Sequence, residues 1–396
     1  MIQEEFHFDK PIRWGMAGGG RGSQIGYIHR CAATRDRLFD FVAGAFDVDA
    51  ARGKEFGENL GIDSRRCYPD YKTMFREEAL RDDGIQAVSI ATPNMLHYEI
   101  LKAALEAGLH AVCEKPLCFT EKQAKELMEL AGKRNRVVGI TYGYTGAQMI
   151  HQARRMIAEG MLGEIRIINM QFAHGYHSSE VEKEDSGTKW RVNPATAGPS
   201  YVLGDVGTHA LFLAKTMVPH LQIEKLLCTK QSFVKSRAPL EDNAFVLLQY
   251  EGGAVGNLWA SCVNAGSSHQ QKIRVVGEKA SIEWWDEHPN QIIFSQQGKP
   301  VQILDRGQGY LFRDEEMVDG DRMGAGHAEG LFEAWANIYR RFALAMDRVN
   351  KGEKASKVMD SLWFPSIRDG AEGVRFVEKC VSSADQGSVW VNYAEN

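Results

Sequence analysis

Apolar and polar positions follow two different rhythms along this chain. Up to about residue 145, apolar runs of strand length are separated by amphipathic stretches of helical length. The runs are IRWGMAG (12–18), FDFVAGAF (39–46), IQAVSIAT (85–92), HAVCEK (110–115) and VVGITYGY (137–144). Near-continuous apolar runs suit strands buried on both faces, as in a parallel sheet. Between them, HYEILKAALEAGL (97–109) keeps Leu101, Ala104, Leu105 and Gly108 on one stripe. TEKQAKELMELAGKRN (120–135) does the same with Leu127, Leu130 and Ala131, and Thr120 with Gln123 predicts a capping box at its start. Strands alternating with helices predict a doubly wound α/β domain over 1–145.

The rhythm changes after about residue 165. IRIINMQFAH (165–174) reads as a strand, and AFVLLQY and AVGNLWA flank Gly252 and Gly253 as a hairpin would. KIRVVG with ASIEWW, then QIIFSQQ with PVQILD around Gly298, repeat that style. These predict a large, mostly antiparallel open sheet in an α+β domain spanning 146–396. Helical patterns return at 329–349 and from about 357 to 383, and the polar HSSEVEKEDSGTKWR (177–191) predicts a long loop.

Composition narrows the function classes. The 396 residues, 44% hydrophobic and 25% charged, are ordinary for a globular chain with two cores. A net charge of −5 speaks against nucleic acid or an anionic membrane as partner. No apolar run is long enough to span a membrane, and MIQEEFHFDKPIRWG lacks the apolar core of a secretory signal. The seven Cys show no CxxC spacing, which predicts reduced thiols and a cytoplasmic protein.

Chemistry enters at three places. GMAGGGRGSQIG (15–26) follows the first strand. Gly18 and Gly20 fit the first two positions of a dinucleotide fingerprint, one for a tight turn and one for close approach to a pyrophosphate. Ser23 occupies the third position, where glycine or alanine is usual. Asp47, after the second strand, can accept the ribose hydroxyls and repel a 2′-phosphate, which favours NAD. Arg52 keeps NADP open, and the alternative for Asp47 or Asp49 is a simple helix cap. Next, CEKPLCF (113–119) places Lys115 at the C-terminal end of the fourth strand, and Pro116 keeps that Lys out of the helical region. Then GDVGTHALFLA (204–214) sets Asp205 and His209 four apart, one helical turn on one face. HGYH (174–177) has no third ligand at metal spacing, so no metal is expected.

Together, the glycine turn, ATPNMLH (91–97), CEKP (113–116) and GDVGTH (204–209) resemble the Gfo/Idh/MocA family of oxidoreductases. The resemblance implies a Rossmann-type dinucleotide domain followed by a substrate-binding and oligomerisation domain. It implies Lys115, Asp205 and His209 as catalytic residues. Cofactor contacts would come from Gly18, Gly19, Gly20, Arg21, Gly22, Asp47, Thr92, Asn94, His97, Glu114, Lys115, Trp190 and Arg191. Substrate contacts would come from Lys115, Tyr144, Asp205, His209 and His327. The segment after the fifth strand departs from the family, with Tyr144 and Gln148 where many members carry Arg-Phe. The activity implied is hydride transfer from a secondary hydroxyl of a sugar, cyclitol or other polyol to NAD, with NADP open, by a homo-oligomer (dimer or tetramer). His209 would be the base, and Lys115 would stabilise the alkoxide. Two other readings stay open: a glycosidase working by transient oxidation and elimination on bound NAD, and a non-catalytic regulator.

Overall fold

The structure, a computed structural model, describes residues 8–184, 188–313 and 320–394. The chain forms two compact units. One holds Gln3–Thr141 and Trp335–Glu372, the other Tyr142–Ala334 and Gly373–Asn396.

The first unit opens with β1 (Ile12–Gly18), α1 (Gln24–Arg35), β2 (Phe39–Ala45), α2 (Ala50–Asn59) and α3 (Tyr71–Glu78). It continues with β3 (Ala87–Ala91), α4 (His97–Glu106), β4 (His110–Cys113), α5 (Glu121–Arg134) and β5 (Val138–Ile140). The strands form a parallel sheet in the order β2-β1-β3-β4-β5. Every residue of β3 and β4 is buried, as their mostly apolar runs lead one to expect, Ser89 and His110 included. Short polar residues start the helices: Ser23 caps α1, Asp49 caps α2, Asp70 caps α3, and Thr120 with Gln123 closes a capping box on α5. The sheet order reverses at β1, because β2 lies on one side of it and β3 on the other. That reversal opens a crevice outside the C-terminal ends of β1 and β3, where open α/β sheets bind ligands.

The second unit contains α6 (Gln148–Ala158), β6 (Ile165–Ala173), α7 (Pro194–Ala197), α8 (Thr208–Met217), β7 (Ile223–Gln231), β8 (Asn243–Tyr250) and β9 (Val255–Ser261). Further along come β10 (Gln271–Gly277), β11 (Ala280–Trp285), β12 (Gln291–Gln296) and β13 (Gln302–Asp305). Nine strands run β13-β12-β11-β10-β6-β9-β8-β7-β14, the last being Val391–Asn392. The pairs β8–β9, β10–β11 and β12–β13 are antiparallel, whereas β6 and β9 are parallel. One face of the sheet is buried with α6 and α8 in a single core that includes Met149, Met170, Leu213, Val246 and Trp284.

The chain then returns to the first unit. Along α9 (Leu331–Asn350), Trp335, Ile338, Tyr339, Phe342 and Met346 recur at helical spacing and join the core around Trp14, Met16 and Val112. Gly139 makes room for Phe342, since a Cβ there would lie 2.5 Å from that ring. The stretch expected as one segment near 357–383 forms two helices, α10 (Ala355–Ser361) and α11 (Ile367–Asp385). Pro365 stands between them, where it disfavours helix in the residue before it. Its carbonyl accepts the Ile140 amide at 2.8 Å. No helix among the described residues is long and apolar enough to cross a membrane.

Candidate active site

In the first unit, the glycine turn packs against backbone on three sides. A Cβ on Gly18 would meet the Ala91 carbonyl oxygen at 2.6 Å, one on Gly20 the Phe46 carbonyl oxygen at 2.5 Å, and one on Gly26 the Gly19 carbonyl oxygen at 2.3 Å. Gly18 and Gly19 have φ of +77° and +67°, which glycine adopts without strain. The departure at position 23 has a local reason. Ser23 caps α1 by accepting the Gly26 amide at 3.1 Å, and the close helix–turn contact falls on Gly26 instead. Gly22, with φ +78°, has no atom within 4 Å of where its Cβ would be. Arg21 is exposed and pairs with Glu55 at 3.0 Å.

Asp47 follows β2. Its carboxylate accepts both Arg52 Nη2 at 2.9 Å and Arg52 Nε at 3.3 Å, and the Asp49 amide at 2.9 Å. The Arg52 hydrogen bonds hold it below the usual carboxylate pKa. Asp49 takes the capping role, accepting the Arg52 amide. Thr92 follows β3, and its Oγ1 is buried with no hydrogen-bond partner. An unsatisfied buried hydroxyl beside Gly18 of the glycine turn, with a fixed carboxylate after β2, fits a dinucleotide. Asn94 is half-buried in the short turn Asn94–Leu96.

Lys115 sits between two anchored neighbours. The Glu114 carboxylate is buried and accepts His29 Nε2 at 3.0 Å and Thr141 Oγ1 at 2.5 Å. Burial works to raise its pKa, but the His29 bond, the Lys115 charge and Thr141 outweigh it and hold the group ionised. His29 in turn meets the Tyr339 hydroxyl, which bonds Ser89 Oγ at 2.7 Å. So the Glu114 side chain reaches α9 through a buried polar chain. On the other side the Lys115–Pro116 bond is cis. His97, fully buried, places Nδ1 2.7 Å from the Pro116 carbonyl and Nε2 2.9 Å from the Thr92 carbonyl. Burial pushes its pKa down, and a neutral ring donates from only one of these nitrogens. His97 therefore ties the loop after β3 to the loop carrying Lys115.

In the second unit, Asp205 and His209 are not separated by a regular α-turn. Leu203–Gly207 is a π-turn, in which the Thr208 amide reaches back five residues to the Leu203 carbonyl. Such widened turns occur mostly as single turns, often at functional sites. Glu241 anchors its start: one buried carboxylate oxygen accepts Ser200 Oγ at 2.6 Å, the Tyr201 amide at 3.0 Å and the Leu203 amide at 3.1 Å. Behind it, Leu211, Phe212 and Leu213 of α8 are buried.

Asp205 is half-buried, and Arg191 Nε approaches it to 3.8 Å. The Arg191 guanidinium lies 4.5 Å from the Trp190 ring centre. His209 is buried, and the Tyr144 ring meets it edge-on at 4.9 Å. His174 and His177 lie near Asp205. Burial drives the pKa of His174 down to about 4 against the opposing pull of Asp205, and lowers that of His177. Among the described residues, no group of three or more His, Cys, Asp or Glu is placed to hold a metal ion. His327 is exposed, and its carbonyl accepts Arg306. Two residues that shape these sites carried no spacing signal: His29 and Glu241.

Two family models cover this architecture. Residues 12–142 match the oxidoreductase family's NAD-binding Rossmann fold, and residues 154–393 match its C-terminal alpha/beta domain. The chain belongs to the Gfo/Idh/MocA oxidoreductase family. The first unit thus carries the family's NAD-binding domain, and the chain is an oxidoreductase. It is 54% identical over 395 residues to the uncharacterized oxidoreductase YfiI of Bacillus subtilis, covering 99% of this chain and 100% of that one. A solved inositol dehydrogenase homolog from Azotobacter vinelandii, complexed with NAD+, is 63% identical with a TM-score of 0.94, covering 97% of this chain and 98% of that one. The same homolog complexed with NADH and myo-inositol gives 62% identity and a TM-score of 0.92, with the same coverage.

Proposed function

We propose that this oxidoreductase oxidises a secondary hydroxyl of a cyclitol or closely related polyol, with NAD as cofactor. The observation that carries this reading is the 62%-identical relative complexed with NADH and myo-inositol, with Lys115, Asp205 and His209 present in this chain. Asp47 is ionised and placed after β2, which favours NAD over its 2′-phosphorylated form. The first unit would hold the dinucleotide through Gly18–Gly22, Asp47 and Thr92. The second would hold the polyol through Asp205, His209 and Tyr144.

NAD+, when bound, supplies the hydride acceptor. His209 takes the hydroxyl proton as the carbon–hydrogen bond is broken, a task that suits an imidazole. Lys115 donates a hydrogen bond to the oxygen as it gains negative charge. Glu114 and His97, which anchor the residues flanking Lys115, hold its backbone in place. Asp205, with Arg191 beside it, accepts from a neighbouring substrate hydroxyl.

The test is NADH formation across a panel of inositols, sugars and glycosides, with His209→Ala and Lys115→Ala alongside the wild type. Turnover of at least one polyol, reduced by about 10²-fold or more in the His209 variant, is expected. Unchanged turnover in both variants would overturn the residue assignment. Cleavage of a glycoside without NADH accumulation would replace the reaction with an elimination.

A further inference from the structure

Beside His209 the second unit carries a side-chain relay, of which the reading above uses only Tyr144. Tyr144 lies in the short turn Gly143–Gly146, His269 in the loop between β9 and β10, and Asp286 just after β11. Asp286 Oδ2 meets His269 Nδ1 at hydrogen-bond distance, and His269 Nε2 lies 3.2 Å from the Tyr144 hydroxyl. The relay is held from every side. Asp286 Oδ1 accepts the Gln271 amide at 3.2 Å, and Glu287 accepts the His269 amide at 3.1 Å. The Phe172 ring lies 4.4 Å from the His269 ring and 5.7 Å from the Tyr144 ring. Both Tyr144 and Phe172 also face the His209 ring, at 4.9 and 6.1 Å.

We propose that Asp286 and His269 polarise Tyr144 so that its phenol oxygen accepts a hydrogen bond from one substrate hydroxyl. Tyr144 is then a specificity residue, with His269 and Asp286 as positioning residues. An ionised carboxylate only accepts, so the proton between Asp286 and His269 sits on Nδ1. An imidazole that carries its one proton on Nδ1 offers Nε2 as an acceptor. With its O–H turned toward Nε2, the Tyr144 phenol oxygen acts as an acceptor toward a donor hydroxyl. A hydroxyl can give that hydrogen bond, whereas fluorine in the same place cannot. The relay thus discriminates by donor character and not by size. The inference rests on the polyol reading above for the kind of ligand, and on the relay's own geometry for its polarity.

The experiment takes an inositol that the enzyme oxidises and its series of monodeoxy-monofluoro analogues. Wild type, Tyr144→Phe, His269→Gln and Asp286→Asn are compared, with thermal unfolding as the check on folding. For the wild type, one position of the series should raise KM about tenfold, with kcat largely kept, the loss expected for one neutral hydrogen bond. In Tyr144→Phe the parent's KM should rise by the same factor and that positional penalty should vanish. In Asp286→Asn and His269→Gln the penalty should shrink. If no position shows a penalty that disappears in Tyr144→Phe, the proposal is wrong. A substrate-free readout separates this from failure of the polyol reading. Imidazole 15N NMR, assigned by difference against His269→Gln, should show His269 protonated at Nδ1 only, with the Nε2 signal moving in Tyr144→Phe. A ring protonated at Nε2 overturns the relay whatever the substrate proves to be.

Discussion

Replacing Gly26 by alanine tests how the dinucleotide turn is built. The added Cβ would stand 2.3 Å from the Gly19 carbonyl oxygen, 2.4 Å from its Cα and 2.7 Å from its carbonyl carbon. All three are backbone atoms, so no rotamer change relieves the contact. Gly19 is also held in place, its carbonyl by Arg30 Nη1 at 2.6 Å and its amide by the Ala91 carbonyl at 3.0 Å. Ordinary contact therefore requires the first turn of α1 and the glycine turn to part by about 1 Å, a displacement that can cost a positioned site ~10²-fold. Overpacking costs ~1–3 kcal/mol, and the helical preference for alanine over glycine returns ~0.5–1 kcal/mol. A net loss of about 1–2 kcal/mol in stability is expected, with NADH affinity weakened at least about tenfold. Urea unfolding and NADH fluorescence titration measure the two. Gly132→Ala is the control: Gly132 lies exposed in α5 with nothing within 4 Å of its Cβ position, so alanine there should stabilise by ~0.5–1 kcal/mol. Wild-type NADH affinity and stability in Gly26→Ala would refute this account of the turn.

Three further outcomes are expected. Asp47→Ala should raise KM for NAD about ten- to a hundredfold through lost charge-assisted hydrogen bonds, while KM for NADP falls because Arg52 is released; steady-state kinetics with both cofactors checks it. His110 accepts the Val137 amide on Nδ1 and donates to Asn350 from Nε2, and burial holds its pKa at about 4. The unfolded chain then binds the extra proton first, so this contribution is full above about pH 6.5 and falls as pH drops toward 4, by about 2 kcal/mol at pH 5. Urea midpoints at pH 7.5 and 5 should differ less in His110→Gln than in the wild type. Finally, Glu241→Ala leaves three buried donors at the π-turn without their acceptor and should cost about 3 kcal/mol, read by thermal unfolding, with kcat reduced as Asp205 and His209 lose their anchor.

Local chemistry was legible in the chain where one residue type has few alternatives. Buried parallel strands need apolar runs, so β1 to β5 stand out, and the pair Gly252 and Gly253 marks the β8–β9 hairpin. Thr120 and Gln123 announce the start of α5. Long-range choices were not legible. Periodicity shows that α9 has an apolar stripe but not which core buries it, and Trp335 to Met346 pack against strands more than 190 residues earlier in the chain. The spacing of Asp205 and His209 suggested one regular helical turn, but Asp205 lies in the wider turn Leu203–Gly207 and His209 at the start of α8. Ser23 looked like a defect in the glycine pattern because the residue that meets Gly19 lies one turn further on. His269 and Asp286 are ordinary loop residues until β10 and β11 bring them together.

The return of α9 has a consequence for synthesis on the ribosome. Tyr339 supplies the hydroxyl that joins His29 to Ser89 and meets the Trp14 ring edge-on, Phe342 fills the space beside Gly139, and Met346 joins the same core. None of these exists when residue 141 leaves the exit tunnel. At ~5–20 residues per second, the nascent cofactor-binding sheet waits on the order of 10–40 s for its last helix, with an apolar face uncovered. Chaperone demand should therefore peak in the middle of translation, while the second unit is being made.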